Sequence, residues 1–233
     1  MRETLKQSKF HRILFGEFHR NLKISDFDIG IFSTVTFLSL FGVVMIASVT
    51  IPLTDGSISM TLNHTFKLIL AIFIGLLIFR VSLSTWKKID ISLIIFSFFL
   101  LTLVFFPLIG FEANGASRWI RILGFSFQPS ELMKFSLIIY ISSYCFRRMT
   151  EFKEKWLGFW KPVLVVISAI ALVLVEPDLG SSAVIFLISL TIMFIAGAPL
   201  KQMLIIFFMG LSVFISMILL VPWRMNRILS FVD

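Results

Sequence analysis

Apolar blocks separated by short polar segments run along the chain from residue 27 onward. Each block is about 20 residues long, which is the length that an α-helix needs to cross a bilayer core of about 30 Å. The blocks predict seven membrane spans, at residues 27–50, 65–84, 91–109, 129–146, 162–176, 180–197 and 203–221. The expected fold class is therefore all-α, a polytopic membrane protein, with a basic N-terminal segment at 1–26 and a transmembrane domain at 27–233.

The fifth predicted span is the shortest of the seven, and prolines account for its limits. Proline suits the first turn of a helix, where its missing N–H has no helical acceptor, but it interrupts a helix interior. We therefore expect Pro162 to open this helix and Glu176-Pro177 to close it.

Composition strengthens the membrane interpretation. Of the 233 residues, 58% are hydrophobic and 28 are phenylalanine, whereas soluble domains are about 45–50% apolar. The formal net charge is +8, but most of the basic residues lie between spans instead of forming one stripe, so we expect no nucleic-acid partner. The single cysteine, Cys145, excludes an internal disulfide and a multi-cysteine metal site.

Lysine and arginine are concentrated on one side of the predicted spans, which sets the orientation. Segment 1–26 is too polar and basic for a cleaved signal peptide; a short interfacial helix and a disordered tail are both compatible with it. Placing it in the cytoplasm also places most other cations there. The outer loops then receive only Arg118, Arg121, Arg224 and Arg227.

Polar, aromatic and glycine residues are dense in the segment 114–134, between the third and fourth spans. Arginine binds phosphate through two parallel hydrogen bonds, and tryptophan lies well at headgroup level, so Arg118 and Trp119 suit an anionic lipid head. A simple interfacial anchor is the alternative for this pair.

Glu131 and Lys134 follow Pro129 and Ser130 and lie three residues apart, hence on one face of the fourth helix. Burying either charge alone at mid-membrane would cost roughly 2.5–3.5 kcal/mol. We therefore expect both to face a hydrated cavity, with the carboxylate near the positive end of the helix dipole. An ion pair that only supports packing is the alternative.

Two carboxylates, Glu176 and Asp178, flank Pro177 between the fifth and sixth spans, and Gly180 follows them, where it would allow close backbone approach. A break at membrane depth is tolerated only where it is buried in protein or lines a cavity. The carboxylates suit a divalent cation or acid–base work, whereas a turn with solvated carboxylates is the simpler interpretation. Near the end of the chain, Arg224 and Arg227 would share one face of a helix.

Taken together, five stretches resemble the SEDS family of polytopic cell-wall proteins, represented by FtsW, RodA and SpoVE. They are residues 114–119, residues 128–131 with Lys134, residues 176–180, residues 194–198 and residues 224–231, in family order and at family-like spacing. The Ala-Gly-Ala after the sixth span and the Pro-Trp-Arg-x-x-Arg beginning at Pro222 resemble the division-associated branch, FtsW, more than the elongation-type branch, RodA.

The resemblance implies a peptidoglycan glycosyltransferase that polymerises lipid II at the outer face of the bacterial cytoplasmic membrane during cell division. The implied partners are lipid II, membrane lipids, the division machinery and a class B penicillin-binding protein. No cofactor is implied, although the carboxylates would accept a divalent cation. The expected cavity residues are Arg118, Trp119, Gln128, Ser130, Glu131, Lys134, Glu176, Asp178, Arg224 and Arg227. A lipid II transporter, a RodA-like polymerase and a scaffold for the penicillin-binding protein are the alternatives.

The chain departs from the family pattern in one respect. Members have about ten spans, and the aspartate usually taken as the catalytic base lies in an Asp-Pro-x-Gly-x-Gly-Tyr pattern in a large outer loop after the seventh span. Asp233 would align just ahead of that pattern. We therefore expect a C-terminally truncated member with no catalytic base of its own and no polymerase activity alone.

Overall fold

The computed structural model describes residues 28–53, 57–106, 110–113, 116–122, 125–221 and 225. Arg224 and Arg227, two of the predicted cavity residues, lie outside the described residues. In chain order the described elements are α1 (Ile29–Leu53), α2 (Ser59–Phe79), α3 (Leu83–Leu103), β1 (Gly110–Ala113), β2 (Ala116–Ile122), β3 (Phe125–Phe127), α4 (Pro129–Arg147), α5 (Met149–Glu154), α6 (Trp156–Val175), α7 (Leu179–Ile195) and α8 (Leu200–Leu219).

Four of the described helices, α1, α2, α6 and α8, are long and apolar enough to cross a membrane. The helix α7 is apolar but only 17 residues long, and α3 and α4 carry charged side chains within their length. The helical polytopic class is therefore confirmed, while the count of seven spans stays a prediction.

The chain divides into two compact units, residues 1–80 and residues 81–233. In the first unit, the described residues form an α1–α2 pair in which no residue of either helix is buried. Thr50 Oγ1 and Thr61 Oγ1 lie 3.3 Å apart between the two helices. Apolar side chains exposed all around a helix are typical of contact with lipid.

Helices α2 and α3 begin and end several residues earlier than the predicted second and third spans, because the prediction followed the most apolar windows. Ser82 sets the start of α3: its Oγ accepts a hydrogen bond from the backbone N–H of Thr85 at 3.3 Å. Such a cap satisfies a donor that the first helical turn leaves free. The first turns of α3 therefore include Lys87 and Lys88, which the prediction had left in a loop.

Pro162 does not open the fifth predicted helix, contrary to expectation, because α6 already begins at Trp156. Proline in a helix interior removes the hydrogen bond to the carbonyl four residues before it. Here that carbonyl belongs to Gly158, and it accepts a hydrogen bond from the Tyr144 hydroxyl at 2.8 Å. A side chain of α4 thus replaces the missing donor. The C-terminal limit is as expected, since α6 ends at Val175, directly before Glu176-Pro177.

The second unit is built around α4, which packs against α3, α6 and α7. Ser97 of α3 and Ser136 of α4 are fully buried, and their Oγ atoms lie 2.6 Å apart. Small residues let helix backbones approach closely, and a hydroxyl pair hydrogen-bonds across the interface. Leu137 and Ile141, which follow Ser136 in α4, are also buried.

A three-stranded antiparallel sheet of order β1-β2-β3 connects α3 to α4, an addition to the predicted all-helical class. In the register, Gly110 pairs with Ile120, and Ile120 in turn pairs with Phe127. Ile120 is buried and the next residue, Arg121, is exposed. This alternation is the period-two pattern of a half-buried strand.

The Phe194–Ala198 stretch, one of the family-like motifs, ends α7. Gly197 has φ of +83°, its N–H donates to the Phe194 carbonyl at 2.9 Å, and the Ala198 N–H donates to the Met193 carbonyl at 3.0 Å. Together these form a Schellman cap, in which glycine takes the left-handed position without a steric penalty. The motif therefore has a structural explanation at the helix end.

Candidate functional site

Three segments far apart in sequence meet at one end of the second unit: β2, the start of α4, and the turn between α6 and α7. Arg118, Gln128 and Ser130 each contact the turn or the first residues of α7. We call this group the sheet-end cluster; its members are Arg118, Gln128, Ser130, Glu131, Lys134, Glu176, Pro177, Asp178 and Ser181.

Arg118 ties the sheet to the end of α6. Its Nε donates to the Glu176 carbonyl at 3.1 Å, and its Nη2 donates to the Pro177 carbonyl at 2.6 Å. Carbonyls at a helix C-terminus lack helical donors and carry the negative end of the dipole, so a guanidinium there is favourable. These two bonds use two of the five N–H groups of the guanidinium. The predicted contact of Arg118 with pyrophosphate stays a prediction.

Asp178 is buried, and both of its carboxylate oxygens are engaged. Oδ1 accepts from the backbone N–H of Ser181 at 3.0 Å and so caps α7, while Oδ2 accepts from Gln128 Nε2 at 2.8 Å. The aspartate therefore joins the start of α4 to the start of α7. The cap has a sequence signal that the prediction did not use, since an aspartate directly before an apolar helix is a strong N-cap.

Glu176, in the turn outside α6, is 1% exposed, and neither carboxylate oxygen has a hydrogen-bond partner among the described residues. Burial raises its pKa to about 8; the neighbouring Asp178 charge adds to the rise and the Arg118 charge opposes it. A carboxyl in this setting holds its proton near neutral pH. It differs from the solvated turn carboxylate that the simpler interpretation expected.

Glu131 and Lys134 form the expected pair on one face of α4, with Lys134 Nζ 2.7 Å from Glu131 Oε1. The Glu131 side chain is 58% exposed and the Lys134 side chain 18% exposed. Glu131 lies in the first turn of α4, where the helix dipole favours a negative charge. The pair therefore presents an accessible carboxylate and a partly covered cation beside the buried acids.

Ser130 is fully buried, with its Oγ 3.5 Å from Ser181 Oγ, so it lies at the packed contact between α4 and α7. Trp119 is half-buried in β2. Gly180 has only Asp178 Oδ1 near the position of a Cβ, at 3.7 Å, so the close backbone approach expected there is absent within the described part of the chain. Instead, Gly158 provides such an approach, because a Cβ on it would lie 2.0 Å from the Glu151 carbonyl oxygen.

A metal site has limited support in this geometry. Within the part of the chain that the structure describes, no group of three or more His, Cys, Asp or Glu side chains is placed to hold a metal ion. Glu176 and Asp178 are the two acids at the α6–α7 turn, and Asp178 already accepts two hydrogen bonds. The predicted divalent cation stays a prediction.

A family comparison assigns the chain. The family model of FtsW, RodA and SpoVE, described as "Cell cycle protein", matches residues 29–233. The chain belongs to this family. Its sheet-end cluster contains residues from three of the five stretches on which the predicted resemblance rests, and the family prediction is confirmed.

Curated members of the FtsW/RodA/SpoVE family carry functional names. The chain is 37% identical over 200 residues to a protein of Aliivibrio salmonicida named "Probable peptidoglycan glycosyltransferase FtsW", covering 84% of this chain and 50% of that protein. It is also 37% identical over 211 residues to a protein of the same name from Saccharophagus degradans, covering 88% of this chain and 54% of that protein. The chain thus spans about half the length of these relatives.

Two solved structures show the family fold. The rod shape determining protein RodA of Thermus thermophilus matches with a TM-score of 0.70 at 23% identity, over 83% of this chain and 60% of that one. A chain of a peptidoglycan synthase complex, solved to describe the coordination of polymerization and crosslinking, matches with a TM-score of 0.69 at 24% identity, over 89% of this chain and 60% of that one. The chain therefore has the RodA-like membrane fold.

Proposed function

We propose that this chain forms the substrate-lining part of a peptidoglycan glycosyltransferase, which polymerises lipid II at the outer face of the bacterial inner membrane during cell division. The observation that carries the proposal is the sheet-end cluster. In it, Arg118 and Asp178 join the motif-bearing segments at one end of the helices. The names and the extent of the FtsW relatives support the same reaction class.

The proposed chemistry uses the charges of this cluster. A sugar hydroxyl must lose a proton as it attacks the anomeric carbon of another lipid II molecule, and the pyrophosphate must leave with its charge stabilised. Lys134 and the remaining N–H groups of Arg118 would bind the pyrophosphate, and Glu131, 2.7 Å from Lys134, would orient that ammonium group. Asp178 would hold the turn in place through its cap and its bond to Gln128. The catalytic base would come from outside the described residues.

The proposed setting includes partners. A class B penicillin-binding protein would cross-link the new strand, and the division machinery would position the pair. The likeness to a chain of a peptidoglycan synthase complex supports a partner of this kind. In the proposed orientation the N-terminus is cytoplasmic, and the sheet-end cluster is at the outer face.

Lipid II retention tests this proposal. The chain, reconstituted in nanodiscs with lipid II, would retain it in native mass spectrometry, and Lys134→Gln would lower the apparent affinity about tenfold, since a charge-assisted contact contributes roughly 1.5–3 kcal/mol. Lys201→Gln, an exposed lysine at the start of α8, is the matched control and would leave retention unchanged.

Other results would contradict parts of the proposal. Equal retention of lipid II by the Lys134→Gln and wild-type chains would show that the cluster is not the lipid II site. Glycan strands made by the chain alone would show that the base is already present. Movement of lipid II across vesicles without strand formation would favour the transporter.

A further inference from the structure

A pocket lies at the opposite end of α4 from the sheet-end cluster. It is an open pocket of about 290 Å³, lined by Ile91, Tyr140, Tyr144, Arg147, Arg148 and Lys161. We call it the basic pocket. Lys134 and Arg147 are about 20 Å apart along α4 at 1.5 Å per residue, so this pocket is separate from the proposed lipid II site.

The three cations of the basic pocket are held by two carboxylates. Arg147 Nη1 lies 2.7 Å from Asp90 Oδ2, with the Asp90 side chain 2% exposed and that of Arg147 40% exposed. Arg148 and Lys161 both pair with Glu151, and their side chains are 62% and 52% exposed. Three cations facing two carboxylates leave a positive surplus, and each cation keeps an exposed portion that a ligand can reach.

Two tyrosines extend the basic pocket away from the helix end. The Tyr144 hydroxyl is fixed by its bond to the Gly158 carbonyl at 2.8 Å, and its ring lies 6.3 Å from that of Tyr140. Tyr140 lies about 10 Å before Arg147 along α4, toward the middle of the helix. The pocket thus runs from the cations toward the apolar middle of the helices.

Apolar surface continues from the basic pocket on both flanking helices. Ile91 of α3 is 54% exposed, and Ile95, one turn further on the same face, is 62% exposed. On α6, Leu164 follows Lys161 by three residues and is 59% exposed. A ligand with both an anionic head and an apolar chain would contact the cations and these side chains at once.

We propose that the basic pocket binds the phosphate headgroup of an anionic membrane phospholipid, with its acyl chains along α3 and α6. Arginine matches a phosphate through paired N–H groups, and basic pockets between membrane helices on the cytoplasmic side suit such heads. A free phosphate would use the same cations but would gain nothing from Ile91, Ile95 and Leu164. The exposed apolar flanks therefore favour the lipid over the free anion.

The test compares the chain loaded with phosphatidylglycerol, with phosphatidylcholine or with inorganic phosphate, using native mass spectrometry from nanodiscs. Phosphatidylglycerol is expected to be retained at least tenfold more strongly than phosphatidylcholine. The double variant Arg148→Gln/Lys161→Gln is expected to lose that preference. The charge-matched control is Lys155→Gln/Lys201→Gln, two exposed lysines outside the pocket lining, and it is expected to keep the preference.

A third variant separates lipid contact from folding. Glu151→Gln removes the same two ion pairs as the double variant but keeps both cations. It is expected to retain phosphatidylglycerol as strongly as the wild type or more strongly. Loss of retention in Glu151→Gln, equal losses in the double variant and its control, or full displacement by millimolar inorganic phosphate would each overturn the proposal.

Discussion

The two ends of the second unit carry charge in different ways. At the sheet end the two acids of the α6–α7 turn are buried, Glu176 being 1% exposed and Asp178 7% exposed. Asp178 accepts hydrogen bonds from a backbone N–H and from an amide, whereas the Glu176 carboxyl has no hydrogen-bond partner among the described residues. At the basic end, the cations of the basic pocket are largely exposed and form ion pairs with carboxylates. The sheet end therefore depends on the hydrogen bonds of Asp178 and the protonation of Glu176, and the basic end on an exposed positive surplus.

This difference predicts how each end responds to change. A buried acid without a partner is stable only while neutral, since burial penalises the charged form. An exposed ion pair contributes little, and its loss is tolerated unless it leaves a buried charge behind. Glu176 and Asp90 are the two residues at which these rules give the sharpest expectations.

The largest expected effect is a pH dependence set at the sheet end by Glu176. Its pKa is about 8 when folded against the usual 4.5, so the folded chain binds an extra proton between these values. The contribution of Glu176 to the free energy of unfolding is therefore greatest below pH 4.5. It falls as the pH rises from 4.5 to about 8, and it is constant above that. At about 1.36 kcal/mol per pKa unit the fall is at most about 5 kcal/mol.

Unfolding temperatures measured in detergent from pH 5 to 8 would report this slope. Glu176→Gln keeps a neutral side chain of similar size and is expected to flatten it. Glu131→Gln, at an exposed position of the same end, is the control and should leave the slope in place. A wild-type curve without a slope would show that Glu176 is ionised in the folded chain.

A smaller loss is expected at the basic end for Arg147→Gln. Arg147 Nη1 contacts Asp90 Oδ2 at 2.7 Å as an ion pair, although the contact lacks hydrogen-bond geometry and Oδ2 has no hydrogen-bond partner within the described ranges. Removing one partner of a buried pair costs about 3–5 kcal/mol. Because Arg147 is 40% exposed, we expect about 2 kcal/mol instead.

Adding Asp90→Asn to Arg147→Gln shows whether the loss of stability comes from the unpaired charge of Asp90. Asp90→Asn/Arg147→Gln removes the stranded charge and is expected to recover most of the stability in the same unfolding measurement. If the double variant is no more stable than Arg147→Gln alone, the loss comes from the packing of Arg147 and not from the charge of Asp90.

The helical membrane fold could be predicted from sequence because about 20-residue apolar blocks have one common solution in a bilayer. The ends of the helices were harder to predict from sequence, since they depend on particular tertiary contacts. Pro162 was expected to start a helix, but the Tyr144 hydroxyl, 14 residues before Gly158, donates to the Gly158 carbonyl in place of the N–H that proline lacks. No local pattern around Pro162 indicates that partner. The strand β2 was missed because its alternation is short and lies beside much stronger apolar blocks.

The candidate site was predictable in its residues but not in their partners. The Glu131–Lys134 pair follows from helical spacing alone, and it forms. The contacts of Arg118 with the Glu176 and Pro177 carbonyls join segments almost 60 residues apart and need the tertiary fold. Likewise Gly180 and Gly158 look equivalent in sequence, yet only Gly158 has a backbone carbonyl in the place of a Cβ.

The smallest expected effects compare the two ends of α7. Gly197, at the basic end, has φ of +83°, so Gly197→Ala would force alanine into the left-handed region and is expected to cost about 1 kcal/mol. The nearest atoms to its Cβ belong to the flexible end of the Lys153 side chain, which can move away. Gly180, at the sheet end, lies in the first turn of α7 with ordinary space around a Cβ.

Gly180→Ala is therefore the matched control, and it is expected to stabilise the chain by roughly 0.5–1 kcal/mol because alanine restricts the unfolded chain and favours a helix. Unfolding temperatures of the two variants should move in opposite directions from the wild type. A decrease in both would mean that the start of α7 also requires glycine. In that case close approach at the sheet end, expected from the sequence, would involve groups outside the described residues.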